Sequence, residues 1–267
     1  MLRDAPRGPT PCERVSDDDL AFALELADIA AAISLPAFGG RLEVALKADR
    51  TPVTEVDVRV ERTLREAVAA RFPHDDFHGE EDGRLGDGRN GRTWIVDPID
   101  GTKNFADGVP LWTTMIALAD AAGPTVAVVD VPTLGSRYRA ARGAGAYRDD
   151  RALAVSGTAA LAEAFVLHSG IEEWIRGGRL QDLVRVTEGV RRTRGLSDSW
   201  GQLLVAQGSA DALLEHEPCG AWDWAASGLI VEEAGGRVSR LDGGPAMPGR
   251  DLLVTNGRLH DAVVALL

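Results

Sequence analysis

Two aspartates, Asp97 and Asp100, close the apolar run TWIVDPIDGT, with a glycine and a threonine directly behind them. Pro98 has no N–H and disfavours helix at the residue before it, so a strand ending here delivers the Asp97 carboxylate in a set, extended direction. Asp100 falls one turn on, placed to cap a helix whose first free N–H groups belong to Gly101, Thr102 and Lys103. Such a helix start attracts anions, and glycine lets an anion approach the backbone. The two carboxylates would repel that same anion unless cations lay between them. A divalent metal resolves the conflict, and hard Mg²⁺ prefers a few carboxylates, water and phosphate oxygens to a full protein cage.

Two other acidic segments raise the same question. FHGEEDG (77–83) places two glutamates after a glycine at an apparent strand end, and standing alone it reads first as a charged turn. In WDWAASGLIVEEAGG, Asp223 is either a metal ligand or a helix N-cap, and Trp222 and Trp224 read as core packing. A Ca²⁺ loop needs acids at alternating positions over about 12 residues with a closing glutamate, and DPIDGTKNFADG does not supply them. An aspartyl-phosphate mechanism is disfavoured as well. Its D-x-D-G-T motif stands near the start of a domain with its acids two apart, whereas here the spacing is three and the position mid-chain.

The elements that must position these groups follow from periodicity. Ser16 followed by DDDLAFALELADIAAAISLPAFGG reads as an N-capped helix with acids in its first turn, ended by Gly39 and Gly40. LEVALKAD reads as a strand, and VDVRVERTLREAVAARF as an amphipathic helix stopped by Pro73. From 93 to 155, short β-rich runs separated by Gly, Pro and Asp predict one meandering, largely antiparallel sheet. Beyond 156 the pattern alternates: strand FVLHS, a helix over 171–189, RRTRG, a helix from 198, strand ADALLEH, a helix from 223, DLLVTNG and a terminal helix. The predicted organisation is a tail over 1–15 and two sub-domains, 16–155 and 156–267, in one compact unit with the site between them.

The composition excludes several classes. Among 267 residues, 45% are hydrophobic, enough for a substantial core, and the formal charge of −12 with no basic stripe argues against a nucleic-acid partner. Apolar stretches are broken by charge or glycine before the roughly 20 residues of a membrane span, and MLRDAPRGPTPCERV lacks a signal peptide's apolar core. The expectation is a cytoplasmic chain without a membrane partner. Cys12 and Cys219 are too few for a disulfide framework or a cysteine metal site. Of 29 basic residues only Lys47 and Lys103 are lysine, and both lie in the acidic-motif segments. Either a compact ammonium is needed there or coding bias put them there by chance.

GEE at 79–81, DPIDGT at 97–102 and WDWAA at 222–226, in this order and at these separations, resemble the inositol monophosphatase family of metal-dependent phosphatases, from roughly residue 18 onward. The resemblance implies a layered αβαβα sandwich, an α+β or α/β class fold, usually a homodimer, acting on small phosphate monoesters with two or three Mg²⁺. It implies Glu80, Asp97, the Ile99 carbonyl, Asp100 and Asp223 as metal ligands, and Asp57 as the acid that orients Thr102. By the same resemblance, Glu80 and the Asp57–Thr102 pair orient and deprotonate a metal-activated water, and the N–H groups of Gly101 and Thr102 hold phosphate oxygens.

Within the family, RTRGLSDSWGQLLVAQGSAD (192–211) is similar to the histidinol-phosphatase branch, which places an aspartate, here Asp198, at the substrate's cationic end. Ser197 stands where that branch commonly has glycine, and a plain helix cap is the alternative for Asp198. Glu217 lies near a substrate-contacting glutamate of the family, one residue short in its spacing to Asp223. Histidinol phosphate is therefore the expected substrate. The alternatives are inositol-1-phosphate or another small sugar or nucleotide phosphate and, outside enzymes, a silent phosphate-binding dimer.

Overall fold

A computed structural model of the chain describes residues 17–47 and 52–267. The expected tail over 1–15, the Ser16 cap, Cys12 and the 48–51 part of the LEVALKAD run and its sequel lie outside the described residues.

Helix α1 (Asp17–Ala37) opens the fold with three aspartates in its first turn, where the helix dipole favours negative charge. Contrary to expectation, α1 is long and apolar enough, by length and composition alone, to cross a membrane. In the fold it buries Phe22, Leu26 and the alanines between its turns, leaving Glu25 and Asp28 on its outer side. A short exposed hairpin of β1 (Val44–Leu46) and β2 (Pro52–Thr54) leads into α2 (Glu55–Arg71). Thr54 caps α2 in a reciprocal box: its Oγ1 accepts from the Asp57 N–H, and the Asp57 carboxylate accepts from the Thr54 N–H at 2.9 Å.

The large sheet follows: β3 (Asp76–Gly79), β4 (Arg84–Leu85), β5 (Thr93–Asp100), β6 (Thr113–Asp120), β7 (Gly123–Val131), β8 (Ser136–Ala141), β9 (Ala146–Arg148) and β10 (Arg151–Ala152). The short α3 (Thr102–Ala106) interrupts it after β5. Strand order is β10-β9-β8-β7-β6-β5-β3-β4, antiparallel except for the β3–β5 pair, so the runs over 93–155 form the meander that their turn residues predict.

The second half carries β11 (Phe165–His168), α4 (Ile171–Arg176), α5 (Leu180–Gly189), β12 (Arg192–Gly195), α6 (Asp198–Ala206), β13 (Ala212–Cys219), α7 (Ala225–Glu233), β14 (Arg237–Ser239), β15 (Arg250–Thr255) and α8 (His260–Val264). Its five strands order as β12-β11-β13-β15-β14. The helix expected over 171–189 is two, because Gly177 and Gly178 break it, the latter at φ +69°. The helix expected from 223 begins at 225, and β14, three residues behind two glycines, gives no strand signal of its own.

Three buried clusters reveal the layering. One joins α1 and α2 to a face of the large sheet through Leu26, Leu64, Trp94 and Ile116. A second sandwiches α6 and α7 between both sheets, with Val129 and Tyr138 on one side and Leu213 and Val254 on the other. The third packs α4, α5 and α8 on the outer face of the second sheet around Trp174, Val186 and Leu253. The result is the expected αβαβα sandwich. Burying a side chain of Leu or Val size contributes about 1.5–3 kcal/mol, so the middle helix layer, buried from both sides, fixes how the two sheets sit against each other.

Candidate active site

In a regular strand, residues 97 and 100 would point to opposite faces. The β5–β6 register shows why they do not: Asp97 pairs with Met115 and Asp100 with Thr113, so three steps on β5 match two on β6. One extra residue bulges the strand at Pro98–Ile99 and swings the second carboxylate round. Ligand oxygens of Asp97, Asp100 and Asp223 then lie within 4.8 Å of one another. They line a cavity of about 160 Å³ together with Glu80, Ile99, Gly101, Thr102, Lys103 and Asp198.

Each side chain is held by a different element. Asp100 does not cap α3, as its position in the sequence predicts. Gly101 takes that place at φ +83°, a conformation glycine adopts without strain, and makes no side-chain cap. The Asp100 carboxylate reaches instead across to α6, where its Oδ2 accepts from the Ser199 N–H at 2.8 Å and from the Ser199 hydroxyl. Asp223 is not a helix cap either, since Trp224 is the residue before α7. Its carboxylate accepts from the Gly220 N–H, and its carbonyl from Gln202 Nε2 at 2.9 Å. Trp224 packs against the middle core, as expected.

Glu80 sits in the turn after β3, and this turn is built by a residue that gives no motif signal. Glu61 on α2, fully buried, accepts from the N–H groups of Glu81 (2.7 Å) and Asp82 (2.9 Å). A Cβ on Gly79 would collide with that carboxylate, so the glycine of the GEE motif is required by the approach of α2. Lys47 bridges the two glutamates, 2.7 Å from Glu80 and 2.8 Å from Glu81. Burial would pull the Lys47 pKa down, but the hydrogen bonds and charges of Glu80 and Glu81 outweigh it and raise it.

Asp57 serves two roles from one helix turn: Oδ2 completes the α2 capping box while Oδ1 accepts from Thr102 Oγ1 at 3.3 Å. Thr102 Oγ1 also lies 3.0 Å from the Ile99 carbonyl. The sequence brings both groups close for separate reasons, a helix N-terminus and a strand end, and the packing of α2 under β5 joins them.

Burial, followed by the charges of Glu80, Asp100 and Asp223, pushes the Asp97 carboxyl well above the usual range. Burial and Asp198 do the same to Asp100. Asp223 is pushed up to about 7 by burial and by Glu80, and burial raises Asp57. Asp97 Oδ1 is buried without a hydrogen-bond partner, a costly state for a carboxylate oxygen. Three crowded carboxylates, one of them with an orphaned oxygen, fit a hard divalent cation.

Asp198 opens α6 with φ +60°, uncommon for a residue with a side chain, and Ser197 rather than Asp198 is the flanking cap residue. Its own N–H donates to Glu215 Oε1 at 3.0 Å. Glu217 does not line the acidic cavity: it is about half-exposed and paired with Arg176. Glu215, two residues earlier on β13 and buried, is the glutamate that adjoins Asp198. Regular alternation would put Glu215 and Glu217 on one face of β13; the register of β13 against β15 shifts between Glu215 and Cys219 and breaks that pattern.

The profile of the inositol monophosphatase family matches residues 16–267. The chain belongs to that family. It is 40% identical over 260 residues to a histidinol-phosphatase of Streptomyces coelicolor, covering 94% of this chain and 97% of that protein. A histidinol-phosphatase of Mycobacterium tuberculosis is 41% identical over 259 residues, covering 95% and 99% of the two chains. Among solved structures, the extragenic suppressor protein suhB of Bartonella henselae superimposes with a TM-score of 0.88 at 26% identity, over 94% of this chain and 98% of that one. The family is metal-dependent, and the acidic cluster stands where such chemistry requires it.

Proposed function

We propose that this chain is a Mg²⁺-dependent phosphoric monoester hydrolase that converts histidinol phosphate to histidinol and phosphate. The convergence of Asp97, Asp100 and Asp223 in one cavity, with Asp198 and Thr102 on its walls and Asp57 behind Thr102, carries the assignment. The 40% and 41% identities to histidinol-phosphatases over nearly the whole chain support the choice of ester.

Glu80, Asp97, the Ile99 carbonyl, Asp100 and Asp223 would hold the metal. Two or three Mg²⁺, when bound, supply the charge neutralisation and Lewis acidity that phosphoryl transfer needs. Glu80 and Thr102 orient the attacking water, and its proton passes through Thr102 Oγ1 toward Asp57, whose raised pKa suits it to accept. The N–H groups of Gly101 and Thr102 hold phosphate oxygens. Asp198, with Glu215 in place of Glu217 behind it, meets the cationic end of the leaving group. The 16–155 half thus supplies the reacting centre and the 156–267 half closes it with Asp198 and Asp223, in a cytoplasmic homodimer.

Phosphate release from histidinol phosphate, inositol-1-phosphate, nucleotide 3′-phosphates and fructose bisphosphate, with Mg²⁺ and with EDTA, tests the proposal. Preferred, EDTA-sensitive hydrolysis of histidinol phosphate is expected. Preference for inositol-1-phosphate would overturn the substrate. Absence of metal-dependent release from every ester would leave a silent phosphate-binding protein.

A further inference from the structure

Beside the acidic cavity lies a second one of about 360 Å³, walled by Glu172, Glu173, Leu111, Trp200, Lys103 and Asp198. Lys103 and Asp198 line both cavities, so the two chambers meet at these side chains. The second chamber has no part in positioning the phosphate. It combines carboxylates with an apolar and aromatic wall, the combination that suits a cationic or heteroaromatic group.

Glu173 already takes a cation in this chamber. The Lys103 ammonium stands 3.7 Å from Glu173 Oε1, an ion pair longer than a hydrogen bond. The two ends are unequal: the Glu173 side chain is 13% exposed and that of Lys103 is 64% exposed. A largely exposed ammonium held to a sheltered carboxylate without a hydrogen bond is a replaceable partner.

Resting on the histidinol phosphate assignment above, we infer that Glu173 is a specificity-determining residue: it receives the outer protonated nitrogen of the leaving group and gives up Lys103 in exchange. Asp198 at the junction meets the nitrogen nearer the phosphate, and Trp200 flanks the path between them. A leaving group with two protonatable nitrogens engages both carboxylates, whereas a polyol engages neither by charge. Lys103, released from Glu173, remains on the wall of the phosphate cavity, so occupation of the outer chamber adds a free positive charge beside the phosphate.

The test compares wild type, E173Q and E173D on histidinol phosphate and on β-glycerophosphate in saturating Mg²⁺, with histidinol as a competing product. Loss of one charge-assisted hydrogen bond corresponds to roughly 10- to 150-fold. The ratio of kcat/KM between the two esters is expected to fall at least tenfold in E173Q, through KM, with a matching weakening of inhibition by histidinol. E173D, which keeps the charge, should recover most of the ratio. Thermal unfolding of each variant separates a folding defect from a recognition defect. A wild type that does not hydrolyse histidinol phosphate would sink the assignment and the inference together. A wild type that does, with an E173Q variant whose ratio and histidinol inhibition are unchanged, or with equal losses on both esters, would sink the inference alone.

Discussion

Asp97 and Thr102 stand five residues apart and are expected to fail differently when replaced. Asp97→Asn removes a buried carboxylate that has an unpartnered oxygen, so Mg²⁺-dependent turnover should be abolished while far-UV circular dichroism stays that of wild type. Near wild-type rates in saturating Mg²⁺ would exclude Asp97 as a ligand. Thr102→Ala takes away the hydroxyl between Asp57 and Ile99, and kcat should drop by about 10²-fold, the usual scale for a lost proton-transfer group. A change confined to KM would make Thr102 a binding residue. Asp198→Ala should lower kcat/KM for histidinol phosphate roughly 10- to 150-fold relative to an uncharged ester, and equal losses on both would mean that Asp198 serves only the start of α6. The aspartates of DPIDGT are legible in the sequence because proline, glycine and tight spacing constrain them locally, whereas Asp223 in WDWAA reads equally as a helix cap until the family resemblance singles it out. Glu61, Glu173 and Glu215 are not legible. Their positions depend on which helix or strand approaches the site from far along the chain, and nothing adjacent in the sequence marks them.

The turn that carries Glu80 shows this at the level of elements. α2 is readable from its apolar spacing and β3 from its run into GEE, but their mutual approach is written in Gly79 and Glu61 together. Gly79→Ala would place a methyl group on the Glu61 carboxylate. The N–H groups of Glu81 and Asp82 would then lose their acceptor, at a cost of about 1–3 kcal/mol for each buried group left unpaired. A lower Tm and weaker Mg²⁺ binding by calorimetry are expected, and a variant with wild-type values for both would show that the turn holds itself. The split of the predicted 171–189 helix has a comparable origin: the apolar pattern continues through Gly177 and Gly178, and only the second glycine's left-handed backbone reveals the break.

Across the whole molecule, the acidic cavity makes stability depend on pH and metal. Asp97, Asp100 and Asp223 have pKa values raised on folding, the last to about 7. The native state therefore binds more protons than the unfolded state once pH exceeds the unfolded carboxyl value of about 4. Without metal, stability should fall as pH rises from about 4 to about 7. Mg²⁺ should restore most of it at pH 7 to 8 and little at pH 5, where the same oxygens are partly protonated. Thermal melts with EDTA and with Mg²⁺ at both ends of this window measure the effect, and a metal-free Tm that climbs over the window would contradict the burial of these charges. The layered fold itself is legible in the sequence, because strand and helix periodicities differ and turn residues separate them. The handover of Asp100 to α6 is a contact over 99 positions that only the assembled layers create.

That handover bears on how new specificities can arise on this scaffold. Asp198 and Ser199 are consecutive: one lines both cavities, and the other grips Asp100 with its N–H and hydroxyl. A library that randomises the start of α6 to retarget the enzyme would disturb the grip on Asp100 whenever the backbone at 198 relaxes from its φ of +60°. Such a library should be dominated by variants that lose all turnover, with few that merely change substrate. Directed evolution toward other esters should therefore proceed faster through α4, whose Glu172 and Glu173 border the outer chamber with no tie to Asp97, Asp100 or Asp223.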